Sequence, residues 1–253
     1  MKHPARVVLA FSFAAIAFVS IGCGSSPTAP SAGGGSGVGG PTMTTGGDVL
    51  VDASKDGGVW WFPQAGSYSP TSGHQGKALA DAIRARGFGV DELGRGIPVT
   101  STMLSSYRMV IRVGNCTKYS NAELAAYDEL VARNVTVILL TDHMAGGCST
   151  TDPLALRYGG ITFAGSEKGT ITDFAPHAIT SRVDSLFFNA GATVVSFDSR
   201  KVEILGYLGA DRKPVMGVIN GFAARIFFLG DVNGIEQVTL PFVDNLINWA
   251  FGN

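Results

Sequence analysis

The stretch Val135 to Thr141, read Val-Thr-Val-Ile-Leu-Leu-Thr, limits what this chain can become more than any other. A near-continuous apolar run of this length suits a parallel strand covered on both faces, and so the centre of a sheet. The flanking pattern agrees. Asp48 to Ala53 is a short apolar strand, and from Gln75 onward Ala78, Leu79, Ala82 and Ile83 share one helical face, so the period changes from strand to helix. Strand, loop and packing helix form the opening half of a β-α-β unit.

Arg86-Gly87 ends that first helix with a glycine suited to the left-handed cap position. Gly89 to Leu93 and Arg108 to Val113 read as strands, with one helical turn at Ser101 to Ser106 between them. Ser120 with Glu123 makes a capping box, and Leu124, Tyr127, Leu130 and Val131 give the next helix its apolar stripe. Asp152-Pro153 opens a short helix that closes at Gly159-Gly160, since aspartate caps and proline tolerates the first helical position. From Ile161 to Phe197 turns break the pattern, leaving β segments only at Gly169 to Phe174 and Thr193 to Phe197. Val202 to Leu208, Val215 to Ile219 and Ala224 to Leu229 are three late strands, the last two joined as a hairpin through Asn220-Gly221. A final helix from about Gln237 to Phe251 carries Val243, Leu246, Ile247 and Ala250 on one face. The expected fold is a three-layer α/β sandwich whose sheet is mainly parallel, with an antiparallel late section.

The other end of the chain gives an address. Lys2 and Arg6 precede the apolar run Val7 to Val19, which is too short for a permanent membrane span and reads as a signal-peptide core. Ser20-Ile21-Gly22-Cys23 resembles a bacterial lipobox, although Ser20 stands where leucine is usual. Residues 1–22 are then the leader and Cys23 the acylated residue that anchors an exported chain to a membrane; a plain secretory leader is the alternative. Residues 23–47 are nearly all Gly, Ser, Pro and Thr and form a tether, reaching roughly 25 to 30 Å as a flexible coil. Residues 48–253 are the single folded domain. Export puts Cys116 and Cys148, each just beyond an expected strand, in an oxidising compartment, where a disulfide between them competes with two free thiols. With 19 basic and 20 acidic side chains, there is no electrostatic case for a nucleic-acid partner.

Several segments together carry a family resemblance. Asp48-Val-Leu-Val-Asp52, the strand ending Val113-Gly114-Asn115, the strand ending Thr141-Asp142-His143, Pro176-His177-Ala178-Ile179-Thr180 and the closing run from Ala224 to Asp231 resemble class I glutamine amidotransferase-like domains. The segments at His177 and Gly230-Asp231 are similar to the ThuA-type and related exported branches. The resemblance implies a flavodoxin-like sandwich and a loose association with sugars. It also implies an elbow cysteine after the central strand, with a histidine and a glutamate. Asp142, His143 and Met144 stand there instead, and Cys148 lies too far along, so glutaminase chemistry is not expected.

In open α/β sheets ligands bind outside the carboxyl ends of the strands. Asp52, Asn115, Asp142, His143 and Asp231 each fall just past an expected strand end, with Ser54 and His74 on the adjoining loop and helix entrance. Asp142, His143 and His74 are the catalytic candidates among them. If Asp52 and Asp142 converge, a cation, a proton or Arg112 must relieve their repulsion. The competing reading has Asp142 and Asp231 capping helices and holding loops. Trp60, Trp61 and Phe62 form either a platform for a sugar ring or a lid packed on the sheet edge. His177 reads as a structural histidine. The four histidines lack zinc-ligand spacing and no phosphate loop is present, so neither metal nor cofactor is expected. Three functions compete: a catalytically degenerate domain that binds a small ligand of carbohydrate type, a ThuA-type sugar-modifying or hydrolytic enzyme, and an envelope protein-interaction module.

Overall fold

A computed structural model describes residues 47–56, 76–142, 151–235 and 241–252. Their strands join in one nine-stranded sheet of order β2-β1-β3-β4-β9-β8-β7-β5-β6. The first half is built from short strands: β1 (Val49–Asp52), β2 (Val90–Leu93), β3 (Met109–Val113), β4 (Thr136–Leu140) and, late in the chain, β9 (Ile226–Leu229), all of them apolar runs except the partly exposed β2. All four pairings within it are parallel. Strand alternation splits the buried side chains between two faces. Val49, Val51, Ile111, Ile138, Leu140 and Phe227 meet α1 (Lys77–Ala85) and α5 (Phe242–Phe251) on one. Leu50, Val110, Val137, Leu139 and Phe228 meet α2 (Ser101–Leu104), α3 (Asn121–Ala132) and α4 (Pro153–Gly159) on the other. That double burial is why these strands lack polar alternation.

The helix starts follow local chemistry. Ser120 accepts a hydrogen bond from the Glu123 amide while the Glu123 carboxylate accepts from the Ser120 amide, closing the capping box of α3. Asp152 Oδ1 accepts from the amides of Leu154 and Ala155 at 3.0 and 3.1 Å, Pro153 opens α4, and Gly160 ends it at φ 62°. Pro241 stands at the N-cap of α5; the expected beginning of that helix, from Gln237, lies outside the described residues.

The second half overturns the expected architecture. β5 (Thr162–Phe174), β6 (Leu186–Ser196), β7 (Val202–Leu208) and β8 (Lys213–Ile219) are antiparallel to one another and β8 is antiparallel to β9. These strands run 7 to 13 residues, against four or five for the parallel ones, so most of the ladder is antiparallel. The molecule is a mixed sheet with few helices and not a mainly parallel flavodoxin-like sandwich. Only fragments of β5 and β6 were legible, because both carry half-exposed stretches and their register shifts three times, which removes any clean alternation. The hairpin through Asn220-Gly221 is present.

The antiparallel half also curls back. The Ala192 amide of β6 donates to the Gly230 carbonyl at 2.7 Å, and the Gly230 amide donates to Val215 at 2.9 Å. Backbone therefore crosses backbone at Gly230, where a Cβ would fall against the carbonyl of Ala192. Gly230→Ala forces that crossing apart, and we expect it to cost on the order of 3 kcal/mol of stability in urea unfolding. An unchanged urea midpoint would show that β6 does not close on β9.

Candidate functional site

In the parallel half, the chain passes from β1 to β2 on one side and then crosses to β3 on the other. The carboxyl ends of β1 and β3 thus flank a topological switch point, where open α/β sheets bind ligands. The residues met there are mostly buried: Asp52, Ser54 and Asp56 after β1, Asn115 after β3, and Thr141 and Asp142 after β4.

Asp52 is not available for chemistry. Its Oδ2 accepts from the hydroxyls of Tyr127 at 2.6 Å and Tyr119 at 3.0 Å, and its Oδ1 accepts from the Ser54 amide at 2.9 Å. Burial, with the Asp52 charge adding to it, raises both phenols well above their ordinary pKa, so they stay protonated and donate. The two rings meet edge to face at 5.8 Å.

Arg112 does not bridge Asp52 and Asp142. Its guanidinium is completely buried, forms an ion pair with Asp152 and donates to the carbonyls of Gly114 at 2.8 Å and Leu140 at 3.3 Å. The Thr141 hydroxyl donates to the same Asp152 carboxylate. Burial lowers the Arg112 pKa, with Tyr119, Tyr127 and Asp52 acting in the opposite direction. Asp152 is a member of this centre that sequence reasoning assigned only to helix capping. The usable signal was an arginine inside an apolar strand, which needs a buried acid.

The loop after β1 is held firmly. Lys55 pairs with Glu123 at 2.7 Å and lies 5.2 Å from the centroid of the Tyr119 ring. Its carbonyl accepts from the amides of Cys116 at 2.7 Å and Thr117 at 3.3 Å. Gly114, at φ 67°, leaves room for Asp56, which its Cβ would otherwise approach to 3.2 Å. Cys116 is disulfide-bonded, and Cys148 lies outside the described residues.

The other expected site residues separate. Asn115 donates to the Thr151 carbonyl at 3.1 Å and so joins the loops after β3 and before α4. Asp142 is buried directly beyond β4. Asp231 belongs elsewhere: its two oxygens accept from the amides of Asn189 at 2.7 Å and Asn233 at 2.8 Å, fastening β6 to the end of β9. His177 Nδ1 accepts from the Ile179 amide at 3.1 Å, a structural contact. Trp60, Trp61, Phe62, His74, His143 and Cys23 lie outside the described residues, as do the expected leader and tether. In sequence, the tryptophans and His74 fall between β1 and α1, and His143 follows β4.

No protein-family model matches the chain, and no curated relative matches it. Solved structures do. The N-terminal domain of mmIFT52 superposes with a TM-score of 0.62 at 16% identity, over 80% of this chain and 97% of that one. A ThuA-like protein from Bacteroides uniformis gives 0.54 at 13% identity, over 85% and 95%. A second, from Parabacteroides merdae, gives 0.52 at 13%, over 80% and 88%. At these identities the likeness shows the fold alone. The chain shares the fold of ThuA-like proteins.

Glu123 supplies a pH test of the clamp. Burial pushes its carboxyl up, but hydrogen bonds from Lys55, Ser120 and the Val99 amide outweigh it and bring the pKa from 4.5 down to about 2. A depressed folded-state value stabilises the protein above the unfolded pKa, and that stability is lost as pH falls through the folded one. Stability should therefore fall from about pH 4.5 toward pH 2, and Glu123→Gln should flatten this part of the urea-midpoint profile. Identical acid profiles for the two proteins would remove Glu123 from the clamp.

Proposed function

We propose that this chain is an exported lipoprotein, anchored to a membrane through Cys23, whose ThuA-like domain binds a small polar ligand of carbohydrate type without glutaminase chemistry. The observation that carries the binding site is the Ser54 side chain. It is 1% exposed at the switch point, and its hydroxyl has no hydrogen-bond partner among the described residues. An unpaired buried hydroxyl costs about 1 to 3 kcal/mol, a cost that a ligand hydroxyl at that position would relieve. Asn115 and Asp142 stand on the adjoining strand ends, and in sequence Trp60, Trp61 and His74 follow β1 as His143 follows β4. Sequestration of Asp52 by two tyrosines weighs against an enzyme that uses it with His74, Asp142 and His143. The partner of Cys116 in this reading is Cys148.

A thermal-shift screen of the mature chain against neutral sugars tests the site, since a ligand at a hundredfold its Kd adds about 2.7 kcal/mol. Ser54→Ala should leave the melting temperature of the ligand-free protein unchanged or slightly higher, yet weaken the best sugar roughly three- to tenfold. A flat screen, or a shift indifferent to Ser54→Ala, would sink the assignment and leave the Trp60 and Trp61 segment as a protein-binding anchor to be examined by pull-down. Anchoring is tested apart from binding: Cys23→Ala should move the exported protein from the membrane to the soluble fraction, and a variant that stays with the membrane would refute lipidation.

A further inference from the structure

The opposite end of the parallel strands holds a second candidate pocket. Arg225 immediately precedes β9, so it lies at the amino end of that strand, away from the switch point. A cavity of about 410 Å³ opens there between α5 and the turn that follows β5; Arg225, Ser181, Asn245, Asn248, Trp249 and Gly252 border it. Its size is within the range of about 300 to 1,000 Å³ usual for small-ligand pockets.

The chemistry of this lining is specific. The Arg225 guanidinium makes no hydrogen bond or ion pair among the described residues. It is nevertheless placed, because Gly252, at φ 76° just past α5, leaves the space it occupies; a Cβ there would stand 2.8 Å from Nη1. Five N–H donors in a fixed fork suit a carboxylate. Asn245 spends its amide hydrogens on the carbonyls of Ile179 at 3.2 Å and Ser181 at 2.6 Å. That leaves Oδ1 as an acceptor and makes the turn a rigid wall. The Asn248 carboxamide is exposed and can both donate and accept. The Trp249 indole is half-buried, with the His177 ring edge-on at 6.3 Å, so one aromatic face is held in place beside these polar groups.

An apolar ring face, acceptors and donors for hydroxyls, and one guanidinium free to take a carboxylate define a pyranose that carries an acid group. We propose that this cavity binds a uronic-acid-type sugar, with its carboxylate on Arg225, its hydroxyls on Asn245 and Asn248 and its ring on Trp249. A neighbouring cavity of about 400 Å³ shares Asn245 and Asn248 and is bordered by Arg182. Arg182 is held at φ 57°, a left-handed conformation unfavourable to a side-chain-bearing residue, and it too makes no ion pair among the described residues. A second acidic sugar unit would find its cation there, so an oligomer should bind more tightly than a monomer.

Titration calorimetry on the whole chain with glucuronate, glucose and inorganic phosphate decides the matter. Glucuronate should bind saturably, glucose more weakly and phosphate least. Arg225→Gln, at an exposed position, should weaken glucuronate roughly tenfold or more and leave glucose unchanged. Trp249→Phe should weaken both sugars, with the melting temperature reporting that the fold survives. Dependence of glucuronate binding on Arg225 keeps this outcome separate from that of the switch-point site, where neutral-sugar binding depends on Ser54. Absence of saturable glucuronate binding, phosphate binding as tight as glucuronate, or an Arg225→Gln variant that binds like the parent would each overturn the proposal.

Discussion

A guanidinium with no solvent exposure sits on the middle strand of the parallel half, and much of the surrounding structure exists to keep it charged. Burying an ion costs several kcal/mol even after relaxation, and removing the partner of a buried pair typically costs about 3 to 5 kcal/mol. Arg112 is held from three directions, by the Asp152 carboxylate, the Gly114 carbonyl at the end of its own strand and the Leu140 carbonyl at the end of the next, while its Nε has no hydrogen-bond partner among the described residues. Asp152 also caps α4, so one ion pair fixes the helix start, the end of β3 and the end of β4 together. Thr141 adds its hydroxyl to the same carboxylate.

A parallel arrangement governs the neighbouring strand. Asp52 is held by two tyrosines from the loop and helix after β3, while Lys55 in the following turn pairs with the capping glutamate of α3. The loop at the switch point is therefore anchored by long-range polar contacts made by residues that look like chemistry in the sequence. Asp52 and Arg112 are thereby committed to holding strand ends and loops together.

The antiparallel half solves a different problem. A sheet of nine strands has long edges, and β6, the last in order, would expose its amides. It is instead drawn back onto the end of β9, where Ala192 meets Gly230 and Asn189 meets Asp231. Gly191 and Gly230 permit that approach because neither has room for a side chain. Asp231 is thus a fastener for the curl of the sheet.

Local pattern determined a good deal. The short parallel strands, the hairpin at Asn220-Gly221, the capping box at Ser120 and the Asp152-Pro153 helix start were legible because each depends on residues within a few positions of one another. So were the switch-point strand ends, as places where polar residues follow apolar runs. What only the tertiary structure decided were the partners. Whether Asp52 faces Arg112, Asp142 or two tyrosines depends on contacts across 67 and 75 positions of chain, about which neither period nor spacing carries information. The same holds for the extent of β5 and β6, whose bulges and half-exposed residues erase alternation, and hence for the balance of parallel and antiparallel pairing. Hydrophobic period records which face of an element is buried; it does not record against what, and the direction of a sheet is set by the latter.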